Sequence, residues 1–385
     1  MFSTNNLQPY DTNDDTMSQE AAAMKKADNF PTIELLDLTR AEIDTALRDL
    51  GVEPYRASQL FGWVHQRGVV DFRLMTDLSQ DLRRLLAEHF HISTLAIARR
   101  DISEDGTQKF LFSLADGTHI ESVFIPDEGA QTFCLSTQVG CAMGCAFCLT
   151  ATMGLVRNLR PGEIVGQVRA LTAAVPLGDK AFNIVLMGMG EPLHNYDHTM
   201  AALRILCDEA GLGVSPRRIT LSTVGLVPAI ERLATETLMP NLAISLHAAS
   251  EDVRARLVPT AHKYSIAEIL GACRRFPLKH RDRITFEYVL LAGVNDSDAE
   301  ARKLAKLLRG MQAKVNLIPL NAAAGIPFER PSDDRINEFG RILAEHHVFV
   351  SVRKSRGRDI RAACGQLAIG GGRKSPAQKL ADAIG

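Results

Sequence analysis

The chain has 385 residues, a hydrophobic fraction of 46% and a formal net charge of −1, the profile of an ordinary globular protein with one large domain and a smaller one. A balance so close to neutral calls by itself for no polyanionic partner. No apolar run approaches the roughly 18 residues of a membrane span and the start lacks a secretion-signal pattern, so the expectation is a cytoplasmic protein with no membrane partner.

In a reducing compartment, seven cysteines read as ligands, catalysts or core fillers rather than as a disulfide framework. The charge is unevenly spread: residues 1–50 hold ten acids against four bases, and residues 353–385 hold eight bases against two acids. A phosphate-facing role for the basic tail follows as an expectation.

Residues 1–30 are polar with little apolar periodicity and read as a mobile extension. Residues 31–95 read as a small helical domain, with Thr39 capping a helix over 40–50 and amphipathic stretches at 57–66 and 79–90. Arg56, Arg67, Arg73, Arg83 and Arg84 make its face basic, a wet surface or an RNA contact. Residues 96–126 predict a connecting β-hairpin turning at Asp116-Gly117, with Glu121 on its second strand.

From 127 to 352 a unit of short apolar strand, loop and amphipathic helix repeats. Strands are predicted at 133–137, 183–187, 218–222, 242–246, 284–290 and 315–319. Helices are predicted between them at 162–174, 196–210, 226–234, 251–257 and 266–275, then at 298–310. A further helix at 332–345 and strand at 348–352 precede the tail, 353–385. The alternation predicts an α/β fold, a partial (βα)6 barrel whose parallel strands carry functional groups at their C-terminal ends.

The first strand is followed by Cys141, Cys145 and Cys148, spaced Cys-x3-Cys-x2-Cys. Three thiolates on one tight loop can hold three irons of a four-iron cluster and leave the fourth open to a cofactor. A zinc site or a structural cluster completed by Cys134 is the competing reading. Later strands lead into Gly188, Gly190 and Glu191, then Ser222, then Ser245, Leu246 and His247, then Asn321. The glycines let backbone approach a ligand, and Glu191 can accept hydrogen bonds from an ammonium group. Cys207, Cys273 and, by default, Cys134 read as core residues. Cys364, in a basic segment with no packing pattern, reads as a nucleophile.

The cysteine spacing with Phe147 before the last ligand resembles the radical S-adenosylmethionine superfamily. Glu121, Cys134, Gln138-Val139-Gly140, Gly188 to Pro192, Ser245-Leu246-His247, Asn316 to Pro319 and Ala362 to Leu367 together resemble its RlmN/Cfr family, over about residues 38–367. Leu320-Asn321-Ala322 departs from the family pattern around the adenine-contacting asparagine.

The resemblance implies a [4Fe-4S] cluster on Cys141, Cys145 and Cys148. It also implies S-adenosylmethionine, two per turnover, held by Gly190, Glu191, Ser222, Ser245, Leu246, His247 and Asn321. The implied partners are 23S ribosomal RNA, transfer RNA and an electron donor such as a flavodoxin system. The implied reaction is methylation of adenosine carbon 2: Cys364 is methylated, and a 5′-deoxyadenosyl radical takes hydrogen from that methyl. The methylene adds to the base, Glu121 takes the proton, and Cys134 releases the product by a transient disulfide with Cys364. Carbon 8 as the target, or an iron-sulfur RNA-binding protein without turnover, stays open on residue chemistry alone.

Overall fold

The computed structural model describes residues 32–127, 129–178 and 181–368. The expected extension at 1–30, and the tail beyond residue 368, lie outside the described residues.

The N-terminal module is built from α1 (Arg40–Asp49), α2 (Tyr55–Phe61) and α3 (Gln80–His89). Thr39 and Glu42 form a reciprocal capping box at the start of α1, and Ser79 caps α3. The predicted helix at 57–66 runs on from α2 as a π-helical turn, Gly62–Gln66, which sets His65 inward. The module is fixed to the larger domain where Gly162 N–H donates to Asp37 at 2.8 Å and Arg40 pairs with Asp208 at 2.9 Å.

One ten-stranded sheet organises the rest: β1 (Ala96–Ile102), β2 (Gln108–Ser113), β3 (His119–Ile125), β4 (Gln131–Cys134), β5 (Phe182–Leu186), β6 (Ile219–Thr223), β7 (Asn241–Ser245), β8 (Ile284–Leu290), β9 (Ala313–Pro319) and β10 (Phe349–Val352). Spatial order follows chain order, and β1 does not pair with β10, so the sheet stays open. β1 to β4 are antiparallel and β4 to β10 are parallel.

Two details extend the expected partial barrel and hairpin. The segment read as a connecting hairpin is a three-stranded antiparallel extension of the main sheet, joined to it by Val123 opposite Cys134. The parallel part has seven strands, because the strand expected after the last helix pairs with β9.

Helices α4 (Pro161–Ala174), α5 (Tyr196–Cys207), α6 (Val227–Leu233), α7 (Glu251–Leu257), α8 (Ile266–Arg275), α9 (Asp298–Leu307) and α10 (Asp333–Glu345) connect and cover the strands. All seven residues of β8 are buried, as expected for a central parallel strand covered on both faces. It nonetheless carries Glu287, and a buried carboxylate in such a strand marks the direction of the site.

Candidate active site

The C-terminal ends of the parallel strands surround a cavity with roughly 930 Å³ of space, counting the part open to solvent. Cys141, Cys145, Cys148, Gly190, Glu191, Ser222, Ser245, His247, Asn321 and Cys364 all line it. Residues 200 positions apart in sequence therefore meet in one place.

The cysteine loop is held from several sides. Cys141 N–H donates to Gly154 O at 2.9 Å, Cys148 N–H to Cys145 O at 3.1 Å, and Ala146 N–H to Leu257 O at 2.9 Å. Met143, Phe147, Val258, Val289, Ile318 and Leu320 form an apolar shell against which the three thiols pack. Burial pushes the Cys141 thiol up to about 12 and raises Cys145 and Cys148 as well, with the neighbouring sulfurs adding repulsion on Cys145. Three soft donors this close in dry surroundings need metal to carry their charge, so the donor set fits an iron-sulfur cluster.

Cys134, the fourth sulfur that zinc or a closed cluster would need, lines a neighbouring cavity instead. Among the described residues no three His, Cys, Asp or Glu groups are placed to hold one metal ion.

Glu191 is buried and already holds the loops around it: Leu193 N–H donates to Oε1 at 3.0 Å and Val224 N–H to Oε2 at 2.9 Å. Burial raises its carboxyl to about 7 despite those bonds. The Thr223 side chain also hydrogen-bonds the carboxylate, and the acceptor capacity left over suits a cationic ligand.

The glycines before it also have a packing reason. A Cβ on Gly188 would stand 2.6 Å from Leu135 O, and one on Gly190, at φ +103°, 2.6 Å from Gln138 Cβ. Their missing side chains make room for the protein's own chain, and only their backbone borders the cavity.

Ser222 and Ser245 touch through their hydroxyls at 3.2 Å. His247 sits at φ +60°, accepts from Val289 N–H through Nδ1 at 3.1 Å and packs edge-on against Phe147. Between Ser245 and His247, the Leu246 side chain is fully buried in the core and its carbonyl accepts from Arg254. Asn321 donates to Cys364 O at 3.4 Å, and its own Oδ1 is buried without a partner. That orphaned acceptor suits a ligand donor such as an adenine amino group.

The segment read as unlikely to pack is instead a strap across the cavity mouth, with Ala362, Ala363 and Leu367 buried. Leu149 N–H donates to Gly365 O at 2.8 Å and Thr150 Oγ1 to Leu367 O at 2.6 Å, tying the strap to the cysteine loop. On its other side Gly357 N–H donates to Asp105 and Ser103 Oγ to Asp359.

Cys364 and Cys134 both line a second cavity with Arg353, Lys354 and Arg356, of roughly 1030 Å³ counting the part open to solvent. All seven cysteines are free thiols, so the disulfide implied between these two is not formed. Cys207 is only half-buried, while Cys273 is core as expected. Glu121 is 1% exposed, outside both cavity linings, and paired with Lys109 at 3.1 Å.

The sequence reading missed Arg353, whose guanidinium is pushed up by facing Cys364, and by Glu287 and Cys134. Its place just after a predicted strand was the available signal.

Two buried imidazoles give an expected pH dependence. Burial lowers His65 and His247 to about 3. Their contribution to stability is full above the unfolded value near 6.5 and drains as pH falls, because only the unfolded imidazoles take up protons there. Stability should drop by roughly 2 kcal/mol between pH 6.5 and 5.5 from the pair. Chemical denaturation at the two pH values checks it, and His65→Phe should remove about half of the slope.

Residues 33–92 match the Ribosomal RNA large subunit methyltransferase N-terminal domain, and residues 135–305 match the Radical SAM superfamily. A "Dual-specificity RNA methyltransferase RlmN" of Desulfosudis oleivorans is 51% identical over 336 residues, covering 87% of this chain and 90% of that protein. The protein of the same description from Geobacter sulfurreducens is 50% identical, covering 87% and 92%. A crystal structure of a radical SAM methyltransferase from Sphaerobacter thermophilus superposes with a TM-score of 0.82 at 50% identity, over 87% of this chain and 99% of that one. With cysteine loop, cavity and both matched regions in agreement, the chain belongs to the RlmN family of radical S-adenosylmethionine RNA methyltransferases.

Proposed function

We propose that this protein methylates carbon 2 of an exposed adenosine in 23S ribosomal RNA and in transfer RNA, through a methylated Cys364. The observation that carries the reading is the position of Cys364 in the wall shared by two cavities, one with the cysteine trio and Glu191, the other with Cys134 and three basic side chains. A thiol that must be reached by a radical source from one side and by a nucleic-acid base from the other needs such a place.

Carbon 2 of adenine is electron-poor and cannot attack the methyl group of S-adenosylmethionine, so a radical route is required. Cys141, Cys145 and Cys148 would hold a single [4Fe-4S] cluster, which with S-adenosylmethionine and an external donor such as a flavodoxin system would supply a 5′-deoxyadenosyl radical. Glu191, Ser222, Ser245, His247 and Asn321 position that S-adenosylmethionine. Cys364 takes its methyl from one S-adenosylmethionine and presents it to the second, giving two per turnover.

Once the resulting adduct has given its unpaired electron back to the electron-transfer chain, Glu121 accepts the carbon 2 proton and Cys134 attacks the Cys364 sulfur. The sulfur–carbon bond breaks with its electron pair on the methylene carbon, which takes up a proton to become the methyl group. The disulfide left behind is reduced again in each cycle, which suits the cytoplasm. Lys354 and Arg356 face the RNA backbone at the second cavity, and Arg67, Arg73 and Arg84, exposed on the N-terminal module, extend the contact.

Anaerobic reconstitution with iron and sulfide, then incubation with S-adenosylmethionine, reductant and RNA, tests this. The expected products are 5′-deoxyadenosine and 2-methyladenosine. Formation of 8-methyladenosine, or of no methylated base, would overturn the reading.

A further inference from the structure

We propose that Lys109 is a positioning residue for the reaction, gripping one oxygen of Glu121 so that the carboxylate stays ionised inside the protein and its other oxygen is left to receive the proton. This rests on Glu121 being the proton acceptor proposed above. Lys109 and Glu121 lie diagonally across β2 and β3, with Lys109 opposite Val123 and Glu121 opposite Leu111. The side chains are 7% and 1% exposed, and Lys109 Nζ stands 3.1 Å from Glu121 Oε1. A lysine this buried is costly unless it compensates a charge.

The second oxygen of Glu121 is held differently. Among the described residues, Oε2 accepts only the backbone N–H of Ala368, at 3.0 Å, on the strap that carries Cys364. Lys109 Nζ also reaches Arg361 O at 3.5 Å, so one ammonium touches both the acid and the strap. Oε1 is therefore pinned by a full charge and Oε2 by a single strap contact that an RNA adduct on Cys364 can replace.

The other charged group acting on Glu121 is Arg99 on β1. Ser136 and Met189, packed on its remaining side, offer a hydroxyl to its carbonyl and a thioether to its N–H. Burial raises the carboxyl, with Lys109 the chief force opposing that.

In the step concerned, the C–H bond at carbon 2 of the adduct breaks, its electron pair stays with the ring, and the proton forms an O–H bond on Glu121. Nothing is oxidised or reduced in the transfer. Neutralising Glu121 leaves Lys109 as an uncompensated buried ammonium, which favours release of the proton to water and restores the pair.

The test uses reconstituted full-length enzyme and a transfer RNA transcript in single turnover across pH, comparing Lys109→Gln, Lys109→Arg and Glu121→Gln. The covalent enzyme–RNA species is resolved on denaturing gels. Lys109→Gln should form the adduct but resolve it at least about ten-fold more slowly at neutral pH, with the rising limb of the profile displaced upward by about one unit or more. Lys109→Arg keeps the charge and should hold the limb near that of the wild type. A wild-type resolution rate and profile in Lys109→Gln, beside an accumulating adduct in Glu121→Gln, overturns the inference alone. Accumulation in neither overturns the role of Glu121 as well. Should Lys109→Gln fail to fold, Lys109→Arg carries the test, and a limb displaced above the wild type then overturns the proposal.

Discussion

Replacing Cys364 by alanine is expected to remove RNA methylation by roughly a thousand-fold or more while leaving fold and cluster in place. The expectation separates what holds the strap from what Cys364 does. Gly365 O, Leu367 O and Ala368 N–H bind the strap to the cysteine loop and to Glu121, and Gln366 Nε2 donates to Ala322 O at 3.0 Å. None of these contacts uses the Cys364 sulfur, which is half-buried at the cavity wall.

Alanine therefore costs little stability, within about 0.5 kcal/mol for a site without core packing. On the proposed mechanism it deletes the sulfur that carries the methyl to the base. Methyl incorporation into RNA measures the loss, and the visible spectrum and thermal melt of the variant report that cluster and fold remain. Methylation at the wild-type rate would mean that the group reaches the base without a protein thioether, and the mechanism would fall.

Much of this arrangement is legible in the chain because parallel strands impose it. Once strands and helices alternate, their C-terminal ends share one rim, so Ser222, Ser245, His247 and Asn321 are gathered by topology before any contact is known. The cysteine trio is legible for a simpler reason, since its ligands are local in sequence.

What the chain conceals depends on register and packing. β1 carries Arg99, Arg100 and Asp101 in place of an alternating apolar face, and six of its seven residues are exposed, so it shows no strand signal. Lys109 looks like any solvated strand lysine until the diagonal pairing with Glu121 is known. Leu246 lies between two cavity residues, but strand alternation turns it into the core. Arg353 reads as the first base of a tail until the strap folds back over it.

Cys134→Ala is expected to fail at the opposite end of the cycle, trapping the enzyme joined to its RNA. Cys134 ends β4 in the core, where burial pushes its thiol up to about 12, Cys364 adds repulsion, and Arg353 opposes both. Burial is the largest of these influences, and it keeps Cys134 protonated at rest.

On the proposed mechanism, Arg353 is the cation that favours the Cys134 thiolate when it attacks the adduct. Without the Cys134 sulfur, one RNA per enzyme should remain covalently bound, and multiple turnover should fall by about a hundred-fold or more. The small cavity left behind should cost about 1 kcal/mol, too little to unfold the sheet. Denaturing gels and intact mass measure the trapped species. The Cys134→Ala, Cys364→Ala double variant should trap none, because the bond that Cys134 breaks is one that only Cys364 can make. Sustained turnover by Cys134→Ala with no adduct would show that release needs no second thiol.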